Sequence, residues 1–179
     1  MNKSLKLFIA TGVILVSALG ALSHFVYEWT GQNQLAGLFV PVSESVWEHM
    51  KLLFFPMLLT TLLLTALLKR TYPHILTGML AGVLTGTTAI PVLFYTYSGI
   101  LGYCITAVDI SIFYISVGIG FFAAYRLTVS DYAESLHHLL CCLTLLMLAA
   151  FVLFSYEPPS LGIFAEPEIG AAFLGEIGR

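Results

Sequence analysis

The ionisable side chains of this sequence concentrate between Glu44 and Lys51, where two carboxylates, an imidazole, an ammonium and an indole occur within eight residues. The whole chain contains only ten Asp or Glu and five His. A strongly apolar run begins directly after Lys51 and continues to Leu68. Such a density of ionisable groups at the start of an apolar helix indicates either a chemical site or an unusually polar helix start.

Further ionisable residues could join this stretch in a metal site. His24 and Glu28 are four residues apart, so both lie on one face of a helix. Asp109 lies in an apolar segment without a basic neighbour, and such groups usually pair or face a cavity. Imidazole and carboxylate groups bind divalent cations such as zinc, and the same groups could relay protons. The predicted metal ligands are His24, Glu28 and His49. The predicted catalytic groups are Asp109 and Glu48.

The same stretch also has a purely structural interpretation. Ser45 and Glu48 match the capping-box pattern, in which the first side chain accepts from the helix start and the second reaches back. Glu44 suits the positive end of the helix dipole. The tryptophans and tyrosines are typical of the aromatic belt at a membrane interface. Both interpretations of Glu44 and Glu48 stay open at the level of sequence.

A second polar group falls on the predicted cytoplasmic side of the helices. Its members are His74, Arg126, Asp131, Glu134, His137 and His138. His137 and Cys141 are four residues apart, as are His138 and Cys142. Two His and two Cys on one helix point in two directions and cannot all converge on a metal. We therefore favour an aqueous edge or an interhelical hydrogen bond over a metal site.

The composition places the chain among membrane proteins. Hydrophobic residues make up 59% and charged residues 9% of 179 residues, whereas a soluble domain carries about 25% charged residues. The net charge of −3 and the lack of a basic patch exclude a nucleic-acid role. The three cysteines include an adjacent pair inside an apolar segment, so a disulfide framework is not expected.

Apolar runs of about 20 residues predict an all-α transmembrane bundle of about five spans in one domain, residues 1–156. The first run could instead be a signal peptide, but it is longer than a usual signal core. The third span carries Gly78, Gly82 and Gly86 at four-residue spacing, a stripe that permits close helix packing and could support a homo-oligomer. The predicted spans are 6–28, 45–68, 75–97, 104–125 and 135–156.

Basic residues predict the orientation of these spans. With the N-terminus in the cytoplasm, five of the seven basic residues fall inside, which satisfies the positive-inside rule. These five are Lys3, Lys6, Lys69, Arg70 and Arg126. The Pro- and Gly-rich tail, residues 157–179, is then extracytoplasmic. This topology brings the ends of the first and third spans and the starts of the second and fourth to similar depth. Asp109 is therefore expected to pair with His24, His49 or Lys51.

The run Ser43–Pro56 resembles the signature of a family of small, uncharacterised polytopic membrane proteins of Gram-positive bacteria. The shared core is Ser-Val-Trp-Glu-His-x-Lys-Leu followed by an aromatic residue and a proline, which matches from Ser45 onward. The segment from His24 to Glu28 and the Pro158-Pro159 pair are also similar. The resemblance implies a multi-pass protein of the cell membrane, and it implies no activity. Intramembrane hydrolases of the ceramidase and adiponectin-receptor type are a weaker analogy, because they have seven spans.

Three functional hypotheses follow from these patterns. The first is an intramembrane enzyme that depends on a divalent metal such as zinc. The second is a small transporter of protons or a solute that acts as an oligomer in the lipid bilayer. The third is a structural or partner-binding membrane subunit. The sequence contains no Walker loop, nucleophile elbow, HExxH or GxGxxG motif, so the substrate is not defined.

Overall fold

The computed structural model describes residues 2–167, in which regular structure is helical throughout. The helices are α1 (Asn2–Trp29), α2 (Gln34–Gly37), α3 (Val46–Leu68), α4 (Ile75–Leu101), α5 (Thr106–Thr128) and α6 (Ala133–Phe154), followed by a 3-10 helix (Gly162–Phe164). Five of these described helices, α1 and α3 to α6, are long and apolar enough to cross a membrane. The predicted all-α bundle with five such helices is confirmed. Its orientation stays a prediction.

Helices α3 and α4 lie at the centre of the bundle. Each buries 56% of its most apolar stretch, against 33% for α5, 22% for α1 and 11% for α6. The core between them contains Leu53, Phe54, Met57, Met79 and Val83, all fully buried. Since α3 is central, the ionisable residues of its first turns are held by several neighbouring elements.

The glycine stripe of α4 packs against α5 of the same chain. A Cβ atom on Gly82 would lie 2.5 Å from the carbonyl oxygen of Gly120, and one on Gly120 would lie 2.8 Å from that of Gly82. At Gly86, a Cβ atom would lie 3.0 Å from the carbonyl oxygen of Ser116. The glycines therefore let two backbones approach closely. The predicted homo-oligomer stays a prediction, but α5 already covers this stripe.

Pro56 lies inside α3, and the helix continues through it from Val46 to Leu68. Proline has no N–H, so the carbonyl of Leu52 loses its usual helical donor. That carbonyl faces α1, because a Cβ atom on Gly20 would lie 2.5 Å from its oxygen. Gly20 thus allows α1 to pack closely against α3 at the level of the proline.

The bundle has two ends, which we name by the predicted orientation. At the outer end, α1, α4 and α6 finish and α3 and α5 begin. The chain after α6 folds back over this end, where Trp47 contacts Phe154 and Phe164 with ring centroids 6.0 and 4.9 Å away. Tyr95 also donates a hydrogen bond to the Gly162 carbonyl (3.2 Å). Residues 168–179 of the predicted tail lie outside the described residues.

Candidate metal centre

Three metal-ligating side chains meet at the outer end of the bundle. His24 lies near the end of α1, Glu44 lies in the connection before α3, and His49 lies in the first turns of α3. One ligand atom from each falls within 4.8 Å of the others. Glu44 Oε2 lies 3.4 Å from His49 Nε2, and Glu44 Oε1 lies 4.0 Å from His24 Nε2. Three separate chain segments therefore contribute to one cluster.

The hydrogen bonding of His49 orients its ring for ligation. His49 Nδ1 lies 2.9 Å from the backbone carbonyl oxygen of Ser45. A carbonyl can only accept, so Nδ1 carries a proton, and Nε2 is the ring nitrogen that faces Glu44. Ligating histidines in metal sites are commonly fixed by such a hydrogen bond from the other ring nitrogen. The ring of His49 is therefore held with Nε2, the nitrogen left for ligation, toward Glu44.

The cluster is open to its surroundings on one side. The side chains of His24, Glu44 and His49 are 37%, 62% and 33% exposed. Within residues 2–167, the Glu44 carboxylate lies within 4.0 Å of these two imidazoles and of no Lys or Arg nitrogen. His24 Nδ1 is buried and has no hydrogen-bond partner in the same part of the chain. The carboxylate is thus free of a competing cation, and the open side leaves room for further ligands.

Two of the three predicted metal ligands lie in this cluster. His24 and His49 come together, with ring centroids 5.5 Å apart. The Glu28 side chain is exposed and makes no hydrogen bond or ion pair with the described residues. Glu44 is the carboxylate that lies beside the two histidines, and the ligand role of Glu28 stays a prediction. Glu44 lies outside any helix, where side-chain periodicity gives no direction, so the sequence indicated it only as part of the ionisable stretch from Glu44 to Lys51.

Glu48, predicted as a catalytic group, belongs to a buried ion pair. Its Oε2 accepts hydrogen bonds from Lys51 Nζ (2.7 Å) and from the backbone N–H of Val42 (2.9 Å). Lys51 is fully buried and also donates to the Gly37 carbonyl (3.0 Å) and to Ser155 Oγ (2.7 Å). The capping prediction is half confirmed, since the Glu48 N–H donates to Ser45 Oγ (3.3 Å) while the carboxylate reaches Val42 instead.

Asp109, the second predicted catalytic group, lies in the first turn of α5. Its carboxylate accepts a hydrogen bond from the Tyr97 hydroxyl of α4, and Tyr97 in turn accepts one from the Ile105 N–H (3.1 Å). Burial, and then the negative charge of Asp109, raise the pKa of the neighbouring Cys104 thiol. The hydrogen-bond partner of the Asp109 carboxylate is therefore Tyr97 rather than His24, His49 or Lys51, and the contact stabilises the α4–α5 connection.

The second polar group lies at the inner end of the bundle, where α4 and α6 begin. His137 Nδ1 and Thr77 Oγ1 of α4 are 2.8 Å apart, which forms the interhelical hydrogen bond favoured by the sequence. Ser130 accepts from the Tyr132 N–H (3.2 Å) and makes no cap on α6. The group at this end therefore does not gather into a metal cluster within residues 2–167.

The fold and the site define an all-helical protein with five helices able to cross a membrane and a His/Glu cluster at one end. The chain belongs to DUF6512, a family of unknown function, over residues 1–172. No curated protein and no solved structure matches it. Membership confirms the expected uncharacterised family. The Gram-positive range and the Ser-Val-Trp-Glu-His signature stay predictions.

Proposed function

We propose that this protein is a multi-pass enzyme of the cell membrane that binds a divalent transition metal such as zinc through His24, Glu44 and His49. The observation that carries the proposal is the convergence of three ligand atoms within 4.8 Å, together with the hydrogen bond that orients the ring of His49. In the predicted orientation the metal lies at the outer surface of the membrane, within reach of water.

The ligand set and its spacing suit zinc. Two imidazole nitrogens and one carboxylate oxygen are a known set of catalytic zinc sites, which keep a further position open. With zinc–ligand bonds of about 2.0–2.1 Å, two ligands of a tetrahedral site lie about 3.3 Å apart. The 3.4 Å distance from Glu44 Oε2 to His49 Nε2 already meets this requirement. The 4.0 Å distance to His24 Nε2 starts from the other oxygen, Oε1, so the ligands must move closer for a single oxygen to serve the same ion. The exposed side of the cluster supplies the open position.

A metal held in this way would lower the pKa of a bound water and supply a nucleophile for hydrolysis. The geometry favours a positioning role for Glu48, because its carboxylate is paired with Lys51 and is 4% exposed. The Asp109 carboxylate accepts a hydrogen bond from the Tyr97 hydroxyl, which likewise favours a structural role for Asp109. The catalytic roles predicted for Glu48 and Asp109 stay predictions, and the proposal itself requires only the three ligands.

Metal binding by purified full-length protein tests the proposal. We expect one zinc ion per chain by elemental analysis, and tight binding in competition with a chromophoric chelator. Loss of an outer-shell partner commonly weakens metal binding by about 10–100-fold. Glu44→Gln and His49→Gln remove ligands directly, so each should weaken binding by at least that factor. His49→Gln and Glu44→Gln should also change the visible spectrum of the cobalt-substituted protein.

Matched controls separate this site from surface binding. Glu28→Gln removes an exposed carboxylate one helical turn from His24, and His138→Gln removes an exposed histidine of α6. Both variants should bind zinc like the wild type. The proposal fails if the wild type binds no metal at one equivalent, or if Glu28→Gln weakens binding as much as Glu44→Gln. Failure in the first way would favour the structural-subunit or transporter hypothesis.

A further inference from the structure

A second chemical cluster lies at the inner end of the bundle, far along the chain from the metal ligands. It consists of Thr77 on α4 and of His137 and Cys141 on α6. His137 Nδ1 is 2.8 Å from Thr77 Oγ1, and His137 Nε2 is 3.8 Å from Cys141 Sγ. One imidazole thus bridges a hydroxyl on one side and a thiol on the other.

The sequence of contacts from hydroxyl to imidazole to thiol is the arrangement expected of an activated thiol. In the tautomer with the proton on Nδ1, His137 donates to Thr77 Oγ1 and its Nε2 lone pair faces the thiol. A nucleophile within reach of a base that a third group orients is the usual arrangement for covalent catalysis. His138 and Cys142 have the same four-residue spacing on the same helix, and no hydrogen bond joins them among the described residues. The spacing alone therefore does not create the contact.

An apolar groove of about 530 Å³ runs between α4 and α6 from the level of this cluster toward the middle of the bundle. Its lining begins at Ala81, one turn after Thr77, and at Leu140, the neighbour of Cys141. It ends at Thr88 and Ala150. Ten residues of α6 correspond to about 15 Å, which is half of the roughly 30 Å hydrocarbon core and so the depth of one acyl layer.

Charge at the inner end suits an anionic donor. The exposed cations Lys69, Arg70 and Arg126 lie where α3 and α5 finish, next to the starts of α4 and α6. Two exposed carboxylates, Asp131 and Glu134, lie at the same end. Cations exceed carboxylates among these five side chains. A donor with a phosphate-bearing head and a fatty chain would therefore meet positive charge at the surface and an apolar groove below it.

We propose that Cys141 is an acyl-acceptor thiol that takes a fatty acyl group from a long-chain acyl thioester, with the chain lying in the groove between α4 and α6. The thiol sulfur forms a bond to the thioester carbonyl carbon while its proton passes to His137 Nε2. The bond from that carbon to the donor sulfur breaks, and the departing thiolate takes the proton from the imidazolium. The products are acylated Cys141 and the free donor thiol, with no oxidant or reductant involved.

Acylation of the full-length protein in detergent micelles tests this inference, with palmitoyl-coenzyme A as donor and peptide mass spectrometry as readout. We expect hydroxylamine-sensitive acylation of Cys141 at least about tenfold faster than that of Cys142. General-base assistance contributes about 10²–10⁴-fold. His137→Gln should therefore slow the reaction at Cys141 about 100-fold, and Thr77→Val should slow it less. His138→Gln should leave the rate unchanged, because no hydrogen bond joins His138 to either cysteine among the described residues.

A groove variant adds a readout that a structural role of His137 would not move. Ala150→Phe fills the far end of the groove, so the rate with palmitoyl-coenzyme A should fall while that with octanoyl-coenzyme A should not. Variants are compared only if their thermal melts match that of the wild type, and Thr77→Val serves if His137→Gln does not fold. Equal acylation of Cys141 and Cys142, no acylation of Cys141, or a rate indifferent to His137→Gln and Thr77→Val would overturn the inference.

Discussion

Replacing Lys51 with methionine is expected to lower the free energy of unfolding by about 3–5 kcal/mol, because removing one partner of a buried ion pair leaves an uncompensated charge. Lys51 is fully buried, and its ammonium donates to Glu48, to the Gly37 carbonyl and to Ser155. Methionine is unbranched and only one atom shorter than lysine, and it removes all three hydrogen bonds. The carboxylate of Glu48 would then retain only the Val42 N–H as a donor.

Reversible unfolding in mixed detergent micelles, followed by circular dichroism, measures this effect. Lys69→Met is the matched control, since Lys69 is exposed just after α3 and its loss should change stability by less than about 0.5 kcal/mol. The double variant Glu48→Gln/Lys51→Met removes both charges, so it should be more stable than Lys51→Met alone. If Lys51→Met costs no more than Lys69→Met, the ion pair does not stabilise the fold.

The ion pair also affects the proposed metal centre. Glu48 holds the backbone of Val42, and Lys51 holds that of Gly37, so both fix the connection before α3. Glu44 lies in that connection two residues after Val42. The buried pair therefore positions Glu44, the proposed ligand that lies in neither α1 nor α3. The ionisable groups of this stretch therefore have two roles. Glu44 and His49 are partly exposed in the candidate site, whereas Glu48 and Lys51 are buried and hold the connection.

The helical framework could be derived from the sequence because its cause is local. Long apolar runs separated by polar turns are sufficient to define five helices, and the positions of their ends brought His24 and His49 to similar depth. Which carboxylate, Glu28 or Glu44, lies beside the two histidines could not be derived from the sequence. Helical spacing places Glu28 near His24, but the direction of Glu44 depends on a connection whose path is fixed by buried hydrogen bonds.

The sequence pattern also could not predict which residues form hydrogen bonds between helices. Asp109 was expected to meet a basic or imidazole group of another helix, yet Tyr97 is near in sequence and reaches it across the α4–α5 connection. The Thr77–His137 contact, by contrast, was anticipated as an interhelical bond without a named partner. Burial dictates that such groups find hydrogen bonds, while tertiary packing decides which group supplies them.

The glycine stripe of α4 is another feature that the sequence indicates without naming its partner. Substitution within it is expected to have the second large effect on stability. Four-residue spacing indicates a close helix approach but does not say whether the neighbour is another copy or another helix of the chain. Gly82→Val should lower the free energy of unfolding by about 3 kcal/mol, the upper part of the range for overpacking. The cause is the contact with Gly120, since even a Cβ atom on Gly82 would lie 2.5 Å from its carbonyl oxygen.

Gly118→Val is the matched control for this prediction. Gly118 lies on α5 two residues before Gly120, and a Cβ atom there meets nothing within 4 Å. Valine at position 118 should therefore leave stability within about 0.5 kcal/mol of the wild type. Unfolding titrations at two protein concentrations, with light scattering for the molar mass, separate the two uses of the stripe. A loss of stability at unchanged mass supports α4–α5 packing within the chain. Unchanged stability with loss of a dimer would show instead that the stripe joins two copies.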